Sequence, residues 1–202
     1  MTDALCKEQA AAPALAAKRS LRLASGLTAQ LRVVRDSWVW VLPLLCSGLF
    51  LPCVTYSEWY IDELFAVLRN ADARGEVEFR QLLTHDFWGN PLQGGSWTHK
   101  SYRPICVLSF AWQFWLLGGD LFRPQPLRAF NVALHAANSL LLLQLLRRGL
   151  GISQCWSCMA ACLFAAHPVH TENVVYLVGR ADMLATAGWL LAALFHLGML
   201  RR

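Results

Sequence analysis

The chain has 202 residues, of which 56% are hydrophobic and 15% are charged, and its mean hydropathy is +0.37. A soluble globular domain usually carries about 25% charged residues, so this composition argues against an ordinary soluble domain. The formal net charge is +5. The basic residues cluster at the edges of apolar runs, as membrane-orientation signals do, and this placement argues against nucleic-acid binding.

The first part of the chain predicts a tail followed by a membrane anchor. Residues 1–37 are Ala-rich and basic, which is typical of a disordered cytosolic tail. Residues 38–54, WVWVLPLLCSGLFLPCV, carry no charge and reach the lower end of the roughly 17–25 residues that cross a bilayer. The A-x-A-like exit of a cleaved signal peptide is missing. We therefore predict an uncleaved first transmembrane helix at 38–54.

A polar segment follows at 55–126 and contains one apolar run, 104–117. That run is too short to cross a bilayer comfortably. Its Trp112 and Trp115 suit a membrane interface. We predict an interfacial helix at 104–117 within a luminal loop.

The last part, residues 127–202, predicts three further transmembrane helices and a polar loop at 167–181. If 104–117 does not cross, the basic tail and the arginine pairs 147–148 and 201–202 all lie in the cytosol, as the positive-inside rule requires. The sequence thus predicts an all-α polytopic membrane protein with about four spanning helices. It also places 55–126 and 167–181 on the same, luminal side, where they can share a site.

Two acidic residues, Asp62 and Glu63, follow the first apolar run by a few positions. A carboxylate at the mouth of a membrane helix can act as a general base or help to hold a divalent cation. The alternative is an acid pair that stabilises a helix N-terminus through the macrodipole. Spacing leaves both interpretations open.

Basic and aromatic residues concentrate in HDFWGNPL (85–92) and THKSYRP (98–104). Lys100 and Arg103 can neutralise a phosphate through charge-assisted hydrogen bonds, and His99 lies beside them. The alternative is that they are ordinary anchors at the lipid headgroups.

The stretch AAHPVHTENVVYLVGRAD (165–182) offers His167, His170 and Glu172 as three potential zinc ligands. However, Pro168 disfavours a regular helix at His167, and the HExxH motif is absent. A zinc-dependent membrane hydrolase is therefore a minor alternative. Polar residues that cap a helix–loop–helix turn are the favoured interpretation.

Two further clusters have structural interpretations. Asn131, His135 and Asn138 share one face of a predicted spanning helix, where polar groups bond to partners or line a cavity. Cys155 and Cys158 have CxxC spacing, but no soluble βαβ pattern surrounds them. We interpret these cysteines as small packing residues.

Several strings occur together in this order: IDELFAVLRNAD, LLTHDFWGNPL, HKSYRPICVLSF, FNVALHAANSLLL and LFAAHPVHTENVVYLVGRADMLA. The chain resembles, over roughly residues 56–200, the N-terminal membrane region of the transmembrane and TPR repeat-containing (TMTC) family. The resemblance implies an endoplasmic-reticulum O-mannosyltransferase with a GT-C-type membrane fold.

The resemblance also implies roles for individual residues. Family members usually have an Asp-Asp pair after the first span, and Asp62-Glu63 matches it, with Asp62 as the leading catalytic base and Glu63 as the second candidate. The implied binding residues for the donor phosphate or substrate are His99, Lys100, Arg103, His167, His170, Glu172 and Arg180.

The implied partners are a lipid-linked donor, dolichyl-phosphate mannose, and the Ser or Thr hydroxyls of an acceptor protein, with cadherins as the substrate class of animal relatives. Inversion at the anomeric carbon is expected. No metal-ligand set is predicted, and a divalent cation stays an open alternative as a cofactor.

The chain departs from the family pattern in three ways. Glu63 replaces the second Asp, and the segment ARGEVEFRQ (73–81) differs from the usual family wording. The sequence also ends at Arg202, whereas the family continues with further membrane helices and TPR repeats of about 34 residues. A fragment or short form is therefore expected. The alternative function is a non-catalytic, truncated membrane scaffold of the same family.

Overall fold

The computed structural model describes residues 37, 39–93, 98–118 and 123–200. The chain divides into two units, Met1–Val41 and Leu42–Arg202. In the first unit, Ser37, Val39 and Trp40 are helical. The predicted tail, 1–37, lies outside the described residues except at Ser37.

The described residues are helical, and their only β pairing is an isolated bridge between His85 and Pro91. The all-α prediction is therefore confirmed for this part of the chain. The first four helices are α1 (Val39–Thr55), α2 (Ile61–Glu63), α3 (Phe79–Leu82) and α4 (Pro104–Leu116). The other four are α5 (Gln125–Gln144), α6 (Gln154–Ala166), α7 (His170–Val175) and α8 (Arg180–Leu200).

Four short segments of the described residues depart from α-helical geometry. The second half of α1, Gly48–Thr55, is a 3-10 helix. A π-helical turn, Leu64–Leu68, continues α2, and a second, Leu145–Gly149, continues α5. A 3-10 turn, Leu177–Gly179, leads into α8.

Prolines account for several helix limits. Pro104 occupies the first position of α4, where its missing N–H costs nothing. The C-cap of α6, His167, is extended with a ψ of 128°, because the following Pro168 disfavours helical backbone at that residue. The break after α6 produces the separate short helix α7.

Two helices of the described residues are long and apolar enough to cross a membrane, Gln125–Gly149 and Leu177–Leu200. Length and composition are the only basis for this assignment. The prediction of about four spanning helices is not confirmed. Helix α6 has 13 residues, fewer than the roughly 20 that a spanning helix needs, and α1 is also among the shorter apolar helices.

Helix α5 is central and packs against the Gly48–Thr55 part of α1 and against α6, α7 and α8. One face of α5 is polar and fully buried, since Arg128, Asn131, His135 and Asn138 have exposures of 0–1%. Their side chains bond to backbone groups of neighbouring segments, as buried polar groups must. Among these contacts, the Asn138 side chain donates to the Met183 carbonyl at 2.9 Å.

A hydrophobic core lies beside this polar face. It contains Phe110 and Phe114 of α4, Leu127 of α5, Leu177, and Phe87 from the loop after α3. Because the core joins α2, α4, α5 and the turn before α8, it holds the acidic segment 60–69 against distant parts of the chain.

Candidate active site

A cavity of 670 Å³ opens next to the acidic pair. It is lined by Asp62, Phe65, Arg69, Trp88, Asn90 and His99. The first three residues recur three and four positions apart on α2 and its π-helical turn, so they share one helix face. The volume lies within the range of about 300–1,000 Å³ that small-molecule pockets occupy.

Asp62 is exposed at the edge of this cavity. Its Oδ2 accepts a hydrogen bond of 2.6 Å from the hydroxyl of Tyr176, 114 positions away. Burial raises the pKa of Tyr176, and the hydrogen bond to Asp62 and the nearby acidic charges raise it further. The phenol therefore stays protonated and donates to the carboxylate.

Glu63 has the opposite environment, because it is fully buried. Its Oε2 accepts from Arg128 at 2.9 Å and from the backbone N–H of Tyr60 at 3.1 Å, and its Oε1 accepts from the backbone N–H of Leu177 at 2.8 Å. Burial raises the pKa of Glu63, while these hydrogen bonds and the Arg128 charge oppose the rise. Both oxygens of this carboxylate are therefore bound within the protein. They connect α2 to α5 and to the turn before α8.

Arg128 is the partner that sequence analysis missed. Besides Glu63, its guanidinium donates to the carbonyls of Tyr56 at 2.7 Å, Glu58 at 2.8 Å and Val175 at 3.2 Å. It thereby fastens the start of α2 to α5 and α7. The available signal was a charged residue inside an apolar helix, three positions before Asn131 and on the same face.

Asp86 organises the loop that forms another wall of the cavity. It accepts hydrogen bonds from the backbone N–H groups of Trp88, Asn90 and His99 and from the Thr98 hydroxyl. Burial alone raises the pKa of Asp86, but these hydrogen bonds outweigh it and bring the pKa below its usual value. The loop therefore presents Trp88, Asn90 and His99 to the cavity.

The three predicted phosphate ligands after this loop separate in space. His99 lines the cavity, with its ring 6.0 Å from that of Trp88. Arg103 lies over the Phe87 ring at 5.1 Å and lines a different groove, of 360 Å³, between the starts of α4 and α8. Lys100 is exposed, in left-handed backbone conformation with a φ of 52°.

His167, His170 and Glu172 do not line the Asp62 cavity. The His170 ring packs against Phe164 at 4.4 Å and His135 at 4.9 Å. The Nδ1 of His167 accepts from the backbone N–H of Val169 at 3.2 Å, and Glu172 is exposed. Within the described part of the chain, no group of three or more His, Cys, Asp or Glu residues is arranged to hold a metal ion.

Similarity to known proteins covers most of this structure. Protein O-mannosyl-transferase Tmtc2 of Drosophila melanogaster is 41% identical over 141 residues, which are 69% of this chain. Protein O-mannosyl-transferase TMTC4 of Homo sapiens is 37% identical over 149 residues, or 68% of this chain. Protein O-mannosyl-transferase TMTC1 of Mus musculus is 41% identical over 140 residues, or 69% of this chain.

The chain belongs to the TMTC family. It spans 14% of the length of the fly and mouse relatives and 20% of the human one. No family model and no solved structure matches it.

In this TMTC chain, Arg180, a predicted ligand of the donor phosphate, does not line the Asp62 cavity. It is fully buried, donates to the Asn131 side chain at 2.8 Å and the Leu127 carbonyl at 2.9 Å, and lies over the Phe110 ring at 3.9 Å. Its guanidinium is therefore engaged in holding α8 to α4 and α5. The position inside the VGRAD string did not reveal this, because burial depends on distant segments.

Of the predicted site residues, the structure brings Asp62 and His99 together in one cavity. Arg69 and Tyr176 were missed. Arg69 follows Asp62 by seven positions, a spacing that places both on one helix face, so periodicity could have found it. Tyr176 gave no such signal, since its contact with Asp62 depends on the tertiary fold.

Proposed function

We propose that this TMTC segment supplies the general base and part of the donor pocket of an O-mannosyltransferase in the endoplasmic reticulum membrane, with a GT-C-type fold. The observation that carries the proposal is the exposed Asp62 carboxylate at the cavity edge, with Oδ2 bound by Tyr176. A fixed carboxylate beside a pocket of suitable volume is the arrangement that a general base requires.

The proposed reaction uses dolichyl-phosphate mannose as donor and a Ser or Thr hydroxyl of a protein, cadherin-like in animals, as acceptor. The oxygen of the acceptor hydroxyl attacks the anomeric carbon while Asp62 accepts the proton of that hydroxyl. The bond between that carbon and the phosphate oxygen breaks, and the configuration inverts. The phosphate leaves with the bonding electron pair and remains on the lipid.

The cavity contains groups suited to the leaving phosphate. Arg69 and His99 lie on the same walls as Asp62, and a cation there stabilises the negative charge that develops as the phosphate departs. Lys100 and Arg103 are exposed and can assist farther from the reacting carbon. The proposal does not require His167, His170, Glu172 or Arg180 to contact the donor.

The proposal is tested by replacing Asp62 with Asn in the membrane-embedded protein and measuring mannose transfer to Ser/Thr peptides. Because an amide cannot accept the proton as a carboxylate does, we expect transfer to fall by at least about 100-fold, as is typical for loss of a general base. The matched control is Glu58→Gln, which removes one exposed negative charge four positions earlier.

The control should transfer mannose at the wild-type rate. Full activity of Asp62→Asn, or an equal loss in both variants, would contradict the assignment of Asp62. Equal melting temperatures of the two variants would show that the loss is chemical.

A further inference from the structure

Three consecutive residues, Val175 to Leu177, contact Asp62, Glu63 or the arginine that pairs with Glu63. The Tyr176 hydroxyl donates to Asp62, and the Leu177 backbone N–H donates to Glu63. The Val175 carbonyl accepts from Arg128, which also pairs with Glu63. Residues more than 110 positions apart are thus joined where the proposed base is located.

Tyr176 has the geometry of a charge-assisted donor. Its oxygen lies 2.6 Å from Asp62 Oδ2, within the range of about 2.5–2.7 Å for a hydroxyl bound to a carboxylate. Its ring packs edge-on against Tyr60 at a centroid distance of 5.8 Å, so two residues at the start of α2 restrict its position. The raised pKa of Tyr176 agrees with a phenol that remains a donor.

We infer that Tyr176 is a positioning residue that fixes the Asp62 carboxylate in the orientation of a competent base. The inference rests on the proposed function. With Oδ2 held by the phenol, Oδ1 is the oxygen that takes the proton of the acceptor hydroxyl. No proton passes to Tyr176, whose O–H bond stays intact throughout.

The physical effect of the phenol is on the orientation of the carboxylate. Asp62 is exposed, so without the hydrogen bond from Tyr176 its side chain can rotate away from the reactive geometry. Misplacing a reacting group by about 1 Å can lower a rate by about 100-fold.

The test compares Tyr176→Phe with wild type in protein labelled with ¹³C at the aspartate carboxyls. The Asp62 resonance is identified by its absence in Asp62→Asn. We expect that resonance to change its chemical shift at pH 7 in Tyr176→Phe, because the hydrogen bond to the carboxylate is lost. This measurement needs no turnover. In the transfer assay we expect kcat to fall about tenfold and KM to change by less than about twofold.

Tyr56→Phe is the matched control, because it removes the same hydroxyl from an exposed tyrosine that does not contact Asp62. It should leave the Asp62 resonance and kcat unchanged. In the Asp62→Asn background, adding Tyr176→Phe should cost no further activity if the phenol acts through Asp62.

The outcomes separate the two claims. If Asp62→Asn is inactive but Tyr176→Phe leaves the Asp62 resonance and kcat at wild-type values, this inference is overturned and the proposed function stands. A lower kcat with an unmoved Asp62 resonance also overturns it, because that pattern describes a structural role. Full activity of Asp62→Asn overturns the proposed function and the role of Tyr176 in it.

Discussion

Single residues of the loop 84–92 determine one wall of the candidate site. Asp86 is 2% exposed and is satisfied by surrounding donors. Nearby, Gly89 has a φ of +81°, and a Cβ at that position would lie 2.6 Å from the Asn70 Oδ1, so only glycine fits without a shift. The sequence HDFWGN indicated a cluster of functional residues. The structure shows that Asp86 and Gly89 shape the loop, while Trp88 and Asn90 face the cavity.

The lowered pKa of Asp86 predicts a pH-dependent stability. Its contribution is fully present above the unfolded pKa of about 3.9 and is lost as the pH falls through the lower folded value. We expect Asp86→Asn to lower the free energy of unfolding at pH 7 by about 1–3 kcal/mol and to remove this part of the acid sensitivity. Melting temperatures between pH 7 and pH 3 measure both effects.

The matched control for Asp86→Asn is Glu78→Gln. Glu78 is exposed and immediately precedes α3, so this variant removes the same charge without removing a side-chain cap. It should change stability by less than about 0.5 kcal/mol. Equal pH profiles for wild type and Asp86→Asn would contradict the assigned role.

At the scale of elements, α5 joins the acidic segment to the helices that follow it. Its polar face was predicted from the spacing of Asn131, His135 and Asn138, but the partners were not, because each partner lies on another element. Arg128 extends this face toward Glu63, and Asn131 holds Arg180. The buried face therefore connects helices. Arg180, a predicted ligand of the donor, is bound within it by Asn131.

The Arg128–Glu63 pair gives an element-scale prediction, because both side chains are fully buried. Arg128→Met should destabilise the protein by about 3–5 kcal/mol, since it leaves Glu63 as an uncompensated buried charge. Adding Glu63→Leu should recover part of this loss, because neither charge is then buried alone. Chemical unfolding in detergent micelles measures both differences.

Arg123→Met provides the control, since Arg123 is exposed just before α5, and it should have little effect on stability. If the double variant is less stable than Arg128→Met, the two substitutions destabilise the protein independently. That result would contradict the proposed energetic coupling between Arg128 and Glu63.

At the scale of the whole molecule, the contact between Asp62 and Tyr176 places their two segments on the same side of any membrane that α5 and α8 cross. The charge distribution had predicted that 55–126 and 167–181 lie on one side and can share a site, and this contact agrees with that prediction. Whether that side is luminal stays a prediction, as does the number of crossings. The short helices α1 and α6 are the elements on which that number depends.

Topology can be measured with N-glycosylation acceptors, since the sequence has no N-x-S/T triplet of its own. Ser96→Asn and Val169→Asn each create one by a single substitution, in the two predicted luminal segments. Gly151→Asn creates one in the predicted cytosolic turn. We expect glycosylation of the first two variants in microsomes and none of the third, read as a mobility shift that endoglycosidase removes.

Modification of only one of the Ser96 and Val169 variants would contradict a shared side. Modification of the Gly151 variant would contradict the predicted orientation and leave the Asp62–Tyr176 contact unaffected.

The sequence by itself determined the helical class, the position of most helices and the family, because hydropathy, prolines and continuous motifs are local properties of the chain. The family resemblance, and not the spacing of the acids, made Asp62 the leading candidate for the base. Only the tertiary structure decided that Asp62 is exposed while Glu63 is buried, and that Arg128 and Arg180 are buried. Burial and hydrogen bonding of Glu63, Arg128 and Arg180 depend on residues 49 to 114 positions away. No local pattern encodes such contacts, and packing around α5 separates the candidate catalytic residues from the structural ones.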